Sequence, residues 1–406
     1  MRRVVITGMA GISSLGQDWS AIAARMREGR NGVRVMPEWD CCPDLNTRLG
    51  APVTDFTLPA HYPRKVVRSM GRVAQMAVCA TERALVDAGL LNDPLIRQGR
   101  MGVAYGSSSG SIEPIRAFGH MLATGSMEGV TSTSYIQMMS HTAAVNIGLF
   151  FGLTGRVIPT SSACTSGSQA VGYAAEAIRW GRADMMIAGG AEELSAGGAA
   201  VFDALYATSQ MNDAPERSPR PFDAARDGLV VGEGAGTLIL EEREHALARG
   251  ATLYGEIVGF GTNSDGVHIT QPEAPTMAQA MRLALEDAAL PATAIGYVNA
   301  HGTATERGDI AESQATAEVL GAVPISSLKS YFGHTLGACG ALEVWLSLEM
   351  MRTGWFAPTL NLEHVDPACA ELDYLTGAGR ALQTEYVMSN NFAFGGINTS
   401  LIIRRL

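Results

Sequence analysis

The sequence predicts an α/β fold, on three observations. Short runs rich in Val and Ile alternate with long Ala-rich stretches of helical period. Several of the short runs are apolar throughout, as expected of strands covered on both faces. Hydrophobic residues make up 47% and charged residues 17% of the 406, which suits a large packed interior and argues against disorder.

Taken in order, the first predicted strand is 4–7, VVIT, ahead of Gly8. Two arginines precede it, but the apolar run is too short for the core of a signal peptide. Gly8, Gly11 and Gly16 follow without the G-x-G-x-x-G spacing of a dinucleotide site. A helix is predicted over 71–88, then strands at 102–106 and 156–159. The second of these runs through small residues into a helix over 166–181. Strands at 185–189 and 236–240 complete the first half. Between them 212–226, polar and with three prolines, reads as a surface loop. In the second half strands are predicted at 256–259, 297–300, 324–326, 387–389 and 400–403. Helices are predicted at 276–288, 310–320 and 336–352, with Asp309 placed to cap the second of them. Segments 228–242 (GLVVGEGAGTLILEE) and 387–405 (VMSNNFAFGGINTSLIIRR) both read as strand, glycine-rich turn, strand. Two similar halves are therefore expected, 1–250 and 251–406, packed tightly without a linker.

Charge and cysteine usage bound the function. A net charge of −10 argues against nucleic acid as the main partner. No apolar run reaches the ~18 residues of a membrane span. Six scattered cysteines without C-x-x-C spacing suggest free thiols in a reducing cytoplasm. No Cys and His cluster at metal-ligand spacing.

Four stretches carry candidate chemistry. In RVIPTSSACTSGSQAVG (156–172) an apolar strand turns through small residues into a helix, with Cys164 at the turn. A thiol at a helix N-terminus is expected to have a lowered pKa and to serve as a nucleophile; the alternative is a buried structural cysteine. His301, in VNAHGTATERGD, sits where a strand ends, followed by Thr303 and Thr305, which suit an amide-bearing ligand; the alternative is a loop histidine. His334, in SLKSYFGHTLGACG, lies just ahead of a helix and is expected to stay neutral. Glu343 falls on an apolar helix and needs a buried partner, for which Lys329 is the candidate. In NNFAFGGINTS the pair Gly395–Gly396 permits a turn that aims backbone N–H groups at a ligand, while Phe392 and Phe394 would wall a pocket.

These motifs resemble the thiolase-fold condensing enzymes, specifically β-ketoacyl–acyl-carrier-protein synthases of the I/II type. The resemblance runs from VVITGMAG to SNNFAFGGINTSLII and rests on SSACTSGSQA, NAHGTAT, KSYFGHTLGACG and NNFAFGGIN in that order. It implies a five-layered αβαβα thiolase fold and a Cys-His-His site. Cys164 would carry the acyl chain, with His301 and His334 on the malonyl thioester oxygen. Lys329 would orient His334, with Glu343 nearby. The N–H groups of Cys164 and Phe394 would form the oxyanion hole, with Phe394 also the gate. Thr303, Thr305, His268 and Thr270 would line the phosphopantetheine path, and Phe202, Ser109 and Phe392 the substrate pocket. No metal or redox cofactor is implied, since the substrates bring phosphopantetheine on acyl carrier protein.

As a partner the resemblance implies an acyl carrier protein, which is acidic; Arg64, Lys65, Arg68 and Arg72, at helical spacing, are candidates to dock it. It also implies a homodimer, or a heterodimer with a related subunit, in which 131–141 closes the partner's acyl pocket. Two departures stand out. Glu306-Arg307 replaces the family's usual proline and small residue. Ser107–Ser109 replaces an apolar pocket residue, which would suit an unsaturated or aryl chain, and the chain as a whole also resembles the aryl-polyene pathway synthase. The rivals are a non-elongating sister subunit, a cysteine-dependent thioester hydrolase and a pure binding protein.

Overall fold

Ten strands frame the computed structural model, which describes residues 1–406. They are β1 (Val4–Ser13), β2 (Met101–Gly106), β3 (Val157–Thr160), β4 (Met185–Glu192), β5 (Gly234–Glu242), β6 (Gly255–Ser264), β7 (Ile295–Asn299), β8 (Pro324–Ser326), β9 (Tyr386–Ala393) and β10 (Ile397–Arg405). The first five lie in the order β1-β5-β4-β2-β3 and the last five in the order β6-β10-β9-β7-β8. In each set the first three strands are antiparallel and the last two join in parallel. The second half therefore repeats the first and adds an edge strand, Asp373–Tyr374, parallel to β8. The sheets meet where β1 pairs with β6 at Val5↔Glu256 and Ile6↔Gly255.

Six helices complete the layers: α1 (Arg72–Asp87), α2 (Thr142–Phe151), α3 (Ser166–Arg179), α4 (Ala274–Ala288), α5 (Glu306–Leu320) and α6 (Cys339–Thr353). Helices α1 and α2 cover the outside of the first sheet, α4 and α5 that of the second, and α3 and α6 fill the space between. This is the five-layered αβαβα arrangement. Helix α6 is buried from Cys339 to Met351 on every side, as a central-layer helix must be. The early glycines serve this packing. A Cβ on Gly8 would sit 2.3 Å from the Ala84 carbonyl oxygen, and one on Gly11 2.2 Å from the Trp345 ring. Their absence lets α1 and α6 lie on opposite faces of β1.

The structure corrects three expectations. Segment 212–226 is only partly a surface loop: Ser218 to Asp223 is buried, because Asp223 is held by the N–H groups of Glu363 and His364. Asp309 does not cap α5, which begins at Glu306 after Thr305. It lies inside the first turn and accepts from the N–H groups of Phe222, Thr303 and Ala304. The repeat was also misaligned by the glycine-rich reading. Only 386–405 is a hairpin, and β5 corresponds to β10 rather than to a strand–turn–strand unit of its own. Four helices of eight or more residues carried no clear sequence signal: Trp19–Arg27, Ile112–Thr124, α2 and Ala196–Asp203. Helix α2 is apolar almost throughout, and Ala196–Asp203 is rich in glycine, so neither shows a polar stripe.

Candidate active site

The two central helices are entered through matching turns. A 3-10 turn, Ala163–Thr165, leads into α3, and another, Leu336–Ala338, leads into α6. Each turn opens on a residue in the left-handed region, Ala163 at φ 49° and Leu336 at φ 46°. This conformation is costly for a residue with a Cβ and is found where surrounding structure enforces it, often at functional sites. The first turn carries Cys164. The second follows His334.

His334 Nε2 lies 2.9 Å from Cys164 Sγ. Its Nδ1 accepts from the backbone N–H of Leu336 at 3.2 Å. An Nδ1 that accepts leaves the proton of a neutral ring on Nε2, so the N–H points at the sulfur. His301 packs edge-on against His334, ring centroids 5.2 Å apart at 88°. The sulfur and one nitrogen from each ring lie within 4.8 Å of one another. Sequence spacing gave no sign of this cluster, since 137 residues separate Cys164 from His301. A thiolate–imidazole set of this spread is one that zinc uses, but zinc needs a nitrogen lone pair where His334 presents an N–H.

Burial sets the protonation states. Both imidazoles are held well below their ordinary pKa, first by burial and then by the charge of Lys329. His334 is neutral, as expected, although these causes outweigh the helix terminus invoked from sequence. The thiol behaves otherwise. Burial pushes Cys164 up to about 12, against the pull of Lys329 and of the N–H groups of Phe394 and Cys164. The expected lowering by the helix N-terminus is thus overridden, because Cys164 is only 4% exposed.

Lys329 and Glu343 are the buried pair that the sequence suggested, Nζ to Oε1 2.5 Å. Asn391 donates to the other carboxylate oxygen at 2.7 Å. Burial pushes the lysine down, but the charge and hydrogen bond of Glu343, with other acidic groups nearby, together hold Lys329 above its ordinary value. Two further buried carboxylates escaped sequence reading. Glu312 accepts from the N–H groups of His301 and Gly302, both at 2.7 Å, fixing the histidine's backbone, and burial pushes it up to about 8. Glu192 ties the N–H groups of Ser108 and Gly337 together with the Ser107 hydroxyl. Glu312 lies on a short-period polar face of α5, and Glu192 ends an apolar strand; the buried setting that singles them out is tertiary.

A cavity of about 530 Å³ contains Cys164, His301 and His334. Of the remaining predicted site residues, Thr303, Thr305, Thr270, Phe202, Phe392 and Phe394 line it. Thr303 and Thr305 lie with their hydroxyls 2.9 Å apart. Phe394 stacks on Phe202, centroids 5.1 Å apart, in a turn held by Gly395 at φ 87° and Gly396 at φ 72°. His268 and Ser109 are exposed and do not line it; His268 Nδ1 instead accepts from Thr270 and Gln271 N–H groups. The Ser107 hydroxyl donates to Glu192 and accepts from the Gly110 N–H. Arg64, Lys65 and Arg68 are exposed, but Arg72 is not free to dock a partner: its guanidinium pairs with Glu233 at 2.7 Å and donates to the Val53 carbonyl.

Comparisons with known proteins agree with this geometry. Residues 1–246 match the model of the β-ketoacyl synthase N-terminal domain, and residues 254–363 that of its C-terminal domain. The chain is 37% identical to 3-oxoacyl-[acyl-carrier-protein] synthase 2 of Vibrio harveyi, covering 100% of this chain and 99% of the relative. A crystal structure of a β-ketoacyl synthase from Burkholderia phymatum STM815 is 67% identical over 100% of both chains, with a TM-score of 0.99. A type II polyketide ketosynthase solved with its acyl carrier protein and bound to a hexaketide is 30% identical over 100% of both chains, TM-score 0.89.

Proposed function

The chain belongs to the β-ketoacyl synthase family, a condensing acyltransferase, and on that premise we propose that it extends an acyl chain held as a thioester on Cys164, using malonyl units. The observation that carries the assignment of roles is the N–H of His334 aimed at the Cys164 sulfur from 2.9 Å, with Nδ1 already occupied.

In the first half-reaction the Cys164 sulfur attacks the acyl thioester. The bond from the acyl carbon to the carrier's sulfur breaks, and the thiol proton leaves with the released pantetheine. The tetrahedral oxyanion falls to the N–H groups of Cys164 and Phe394, each such donor being worth roughly 3–4 kcal/mol. In the second, malonyl loses CO2 and its electron pair becomes an enolate. Two neutral imidazoles, His301 and His334, donate N–H to that oxygen. The enolate carbon attacks the acyl carbon, a carbon–carbon bond forms, and Cys164 leaves as thiolate, its charge favoured by the buried Lys329 ammonium. No metal or redox cofactor is needed for these steps.

Phosphopantetheine on an acyl carrier protein is the arm that we assign to Thr303, Thr305 and Thr270, with Arg64, Lys65 and Arg68 as exposed cations for an acidic carrier. A twofold dimer is supported by the exposed Tyr135 in 131–141 and by β3, a sheet edge with Val157 46% exposed. Six free cysteines suit a reducing cytoplasm, and no helix is long and apolar enough to cross a membrane.

The test is intact-mass detection of acyl-enzyme across saturated and polyene acyl-carrier donors, wild type against Cys164→Ala. A mass gain of one acyl group in the wild type only, followed by malonyl-dependent CO2 release and a longer acyl product, is expected. Acylation that survives in Cys164→Ala, or hydrolysis without CO2 release, overturns the reading.

A further inference from the structure

The wall of the catalytic cavity passes from buried Thr303 through half-buried Thr305 to exposed Glu306 and Arg307, and two arginines line it, Arg226 and Arg307. Arg226 is engaged within the protein, with only its Nε lacking a hydrogen-bond partner. Its guanidinium is buried, pairs with Asp366 at 2.7 Å, lies 3.5 Å from Asp309 and donates to the Glu306 carbonyl. Arg307 is exposed and enters no ion pair or hydrogen bond. Three acids share this rim. Asp265 is occupied by the Asn398 amide at 2.7 Å and by Thr276, and Asp227 by the Gln210 N–H at 2.8 Å. Glu306 is adjacent to Arg307 on a helix, and neighbours in sequence point about 100° apart on a helix rather than at each other. Arg307 is therefore a cation held at the mouth with no partner of its own.

We infer that Arg307 binds the phosphate of the substrate's phosphopantetheine arm as the thioester end reaches Cys164. This rests on the function proposed above and adds a specificity-determining residue to it. A protein of net charge −10 repels an anionic arm at long range. Over the ~8 Å of a physiological Debye length the acids Asp227, Asp265 and Glu306 also act, so the contact rests on the directed donors of Arg307 rather than on the net charge of the rim. A guanidinium offers a planar pair of donors that matches two phosphate oxygens, which a lysine does not reproduce.

The experiment compares two small donors that differ only in the phosphate, an acyl-4′-phosphopantetheine and the same acyl-pantetheine, with acylation of Cys164 read by intact mass. For the wild type the phosphate-bearing donor is expected to have the lower KM. In Arg307→Ala the KM ratio between the donors should shrink about three- to tenfold, with a smaller loss in Arg307→Lys. Raising salt should shrink the wild-type ratio and leave that of Arg307→Ala flat. A ratio in Arg307→Ala within twofold of wild type overturns the inference while leaving the function standing. A wild type in which Cys164 is acylated by neither these donors nor the carrier-bound acyl chain overturns both.

Discussion

Glu343→Gln isolates the buried charge pair on which the site's electrostatics depend. Glutamine keeps the volume and can still accept from Asn391, but it leaves Lys329, 1% exposed, without a counter-charge. Removing one member of a buried pair costs about 3–5 kcal/mol, because the remaining ion keeps its desolvation penalty. With about 2.1 cal/mol/K of unfolding entropy per residue, a chain of 406 residues loses roughly 4–6 °C of Tm for that cost. The assay is thermal unfolding of wild type, Glu343→Gln and the double variant Lys329→Met/Glu343→Met. The double variant, with no charge left to bury, should recover most of the loss. A second readout follows from Lys329's pull on the thiol. If the lysine sheds its proton in Glu343→Gln, Cys164 loses that support, and its alkylation slows at fixed pH. A single variant within ~1 °C of wild type, or a double variant no more stable than the single, refutes the argument that the pair is ionised and mutually required.

Two further outcomes test the protonation states and the surface. Site-resolved alkylation of Cys164 by iodoacetamide should climb about tenfold per pH unit from pH 7 to 10, because a thiol raised to about 12 is still gaining thiolate there. It should show no inflection near 6.5, since both histidines stay neutral; a plateau below pH 8 would mean a pre-formed thiolate. Arg68→Glu should raise KM for a carrier-bound donor several-fold with Tm unchanged, whereas Arg72→Ala should lower Tm by breaking the Glu233 pair. A change in KM without loss of Tm in Arg72→Ala would return that residue to the docking surface.

What the sequence made legible was local. Apolar runs located ten strands of the large sheet but not its edge strand Asp373–Tyr374, and Cys164 stood out because a strand, small residues and a helix surround it within 156–181. The pairing of Lys329 with Glu343 was legible too, since a glutamate on an otherwise apolar helix must find a cation. The remainder depends on juxtapositions that no short window contains. The pKa of Cys164 followed burial among residues from both halves rather than its place at a helix end. Arg72 read as a surface cation by helical spacing, yet Glu233, far along the chain, claims it. Glu312 and Glu192 are ordinary glutamates in sequence and become buried acceptors only when other loops bring N–H groups to them.

The duplicated topology accounts for how the site is assembled. Cys164 follows β3 and His334 follows β8, which are the fifth members of the two equivalent strand sets. Each is delivered by a turn strained at its first residue, ahead of a helix of the central layer. Because α3 and α6 pack side by side between the sheets, their leading turns meet, and a sulfur from one half faces an imidazole from the other. His301, at the end of β7, comes from the strand beside β8, so both rings approach from one sheet and the nucleophile from the other. A thiolate formed at Cys164 would meet the His334 N–H already in place, with the charge of the buried Lys329 ammonium favouring it. A shift of either helix along its axis would separate the sulfur from the ring while leaving both cores intact. For that reason the close packing of α3 on α6, more than any single residue on the cavity wall, fixes the 2.9 Å contact on which the chemistry depends.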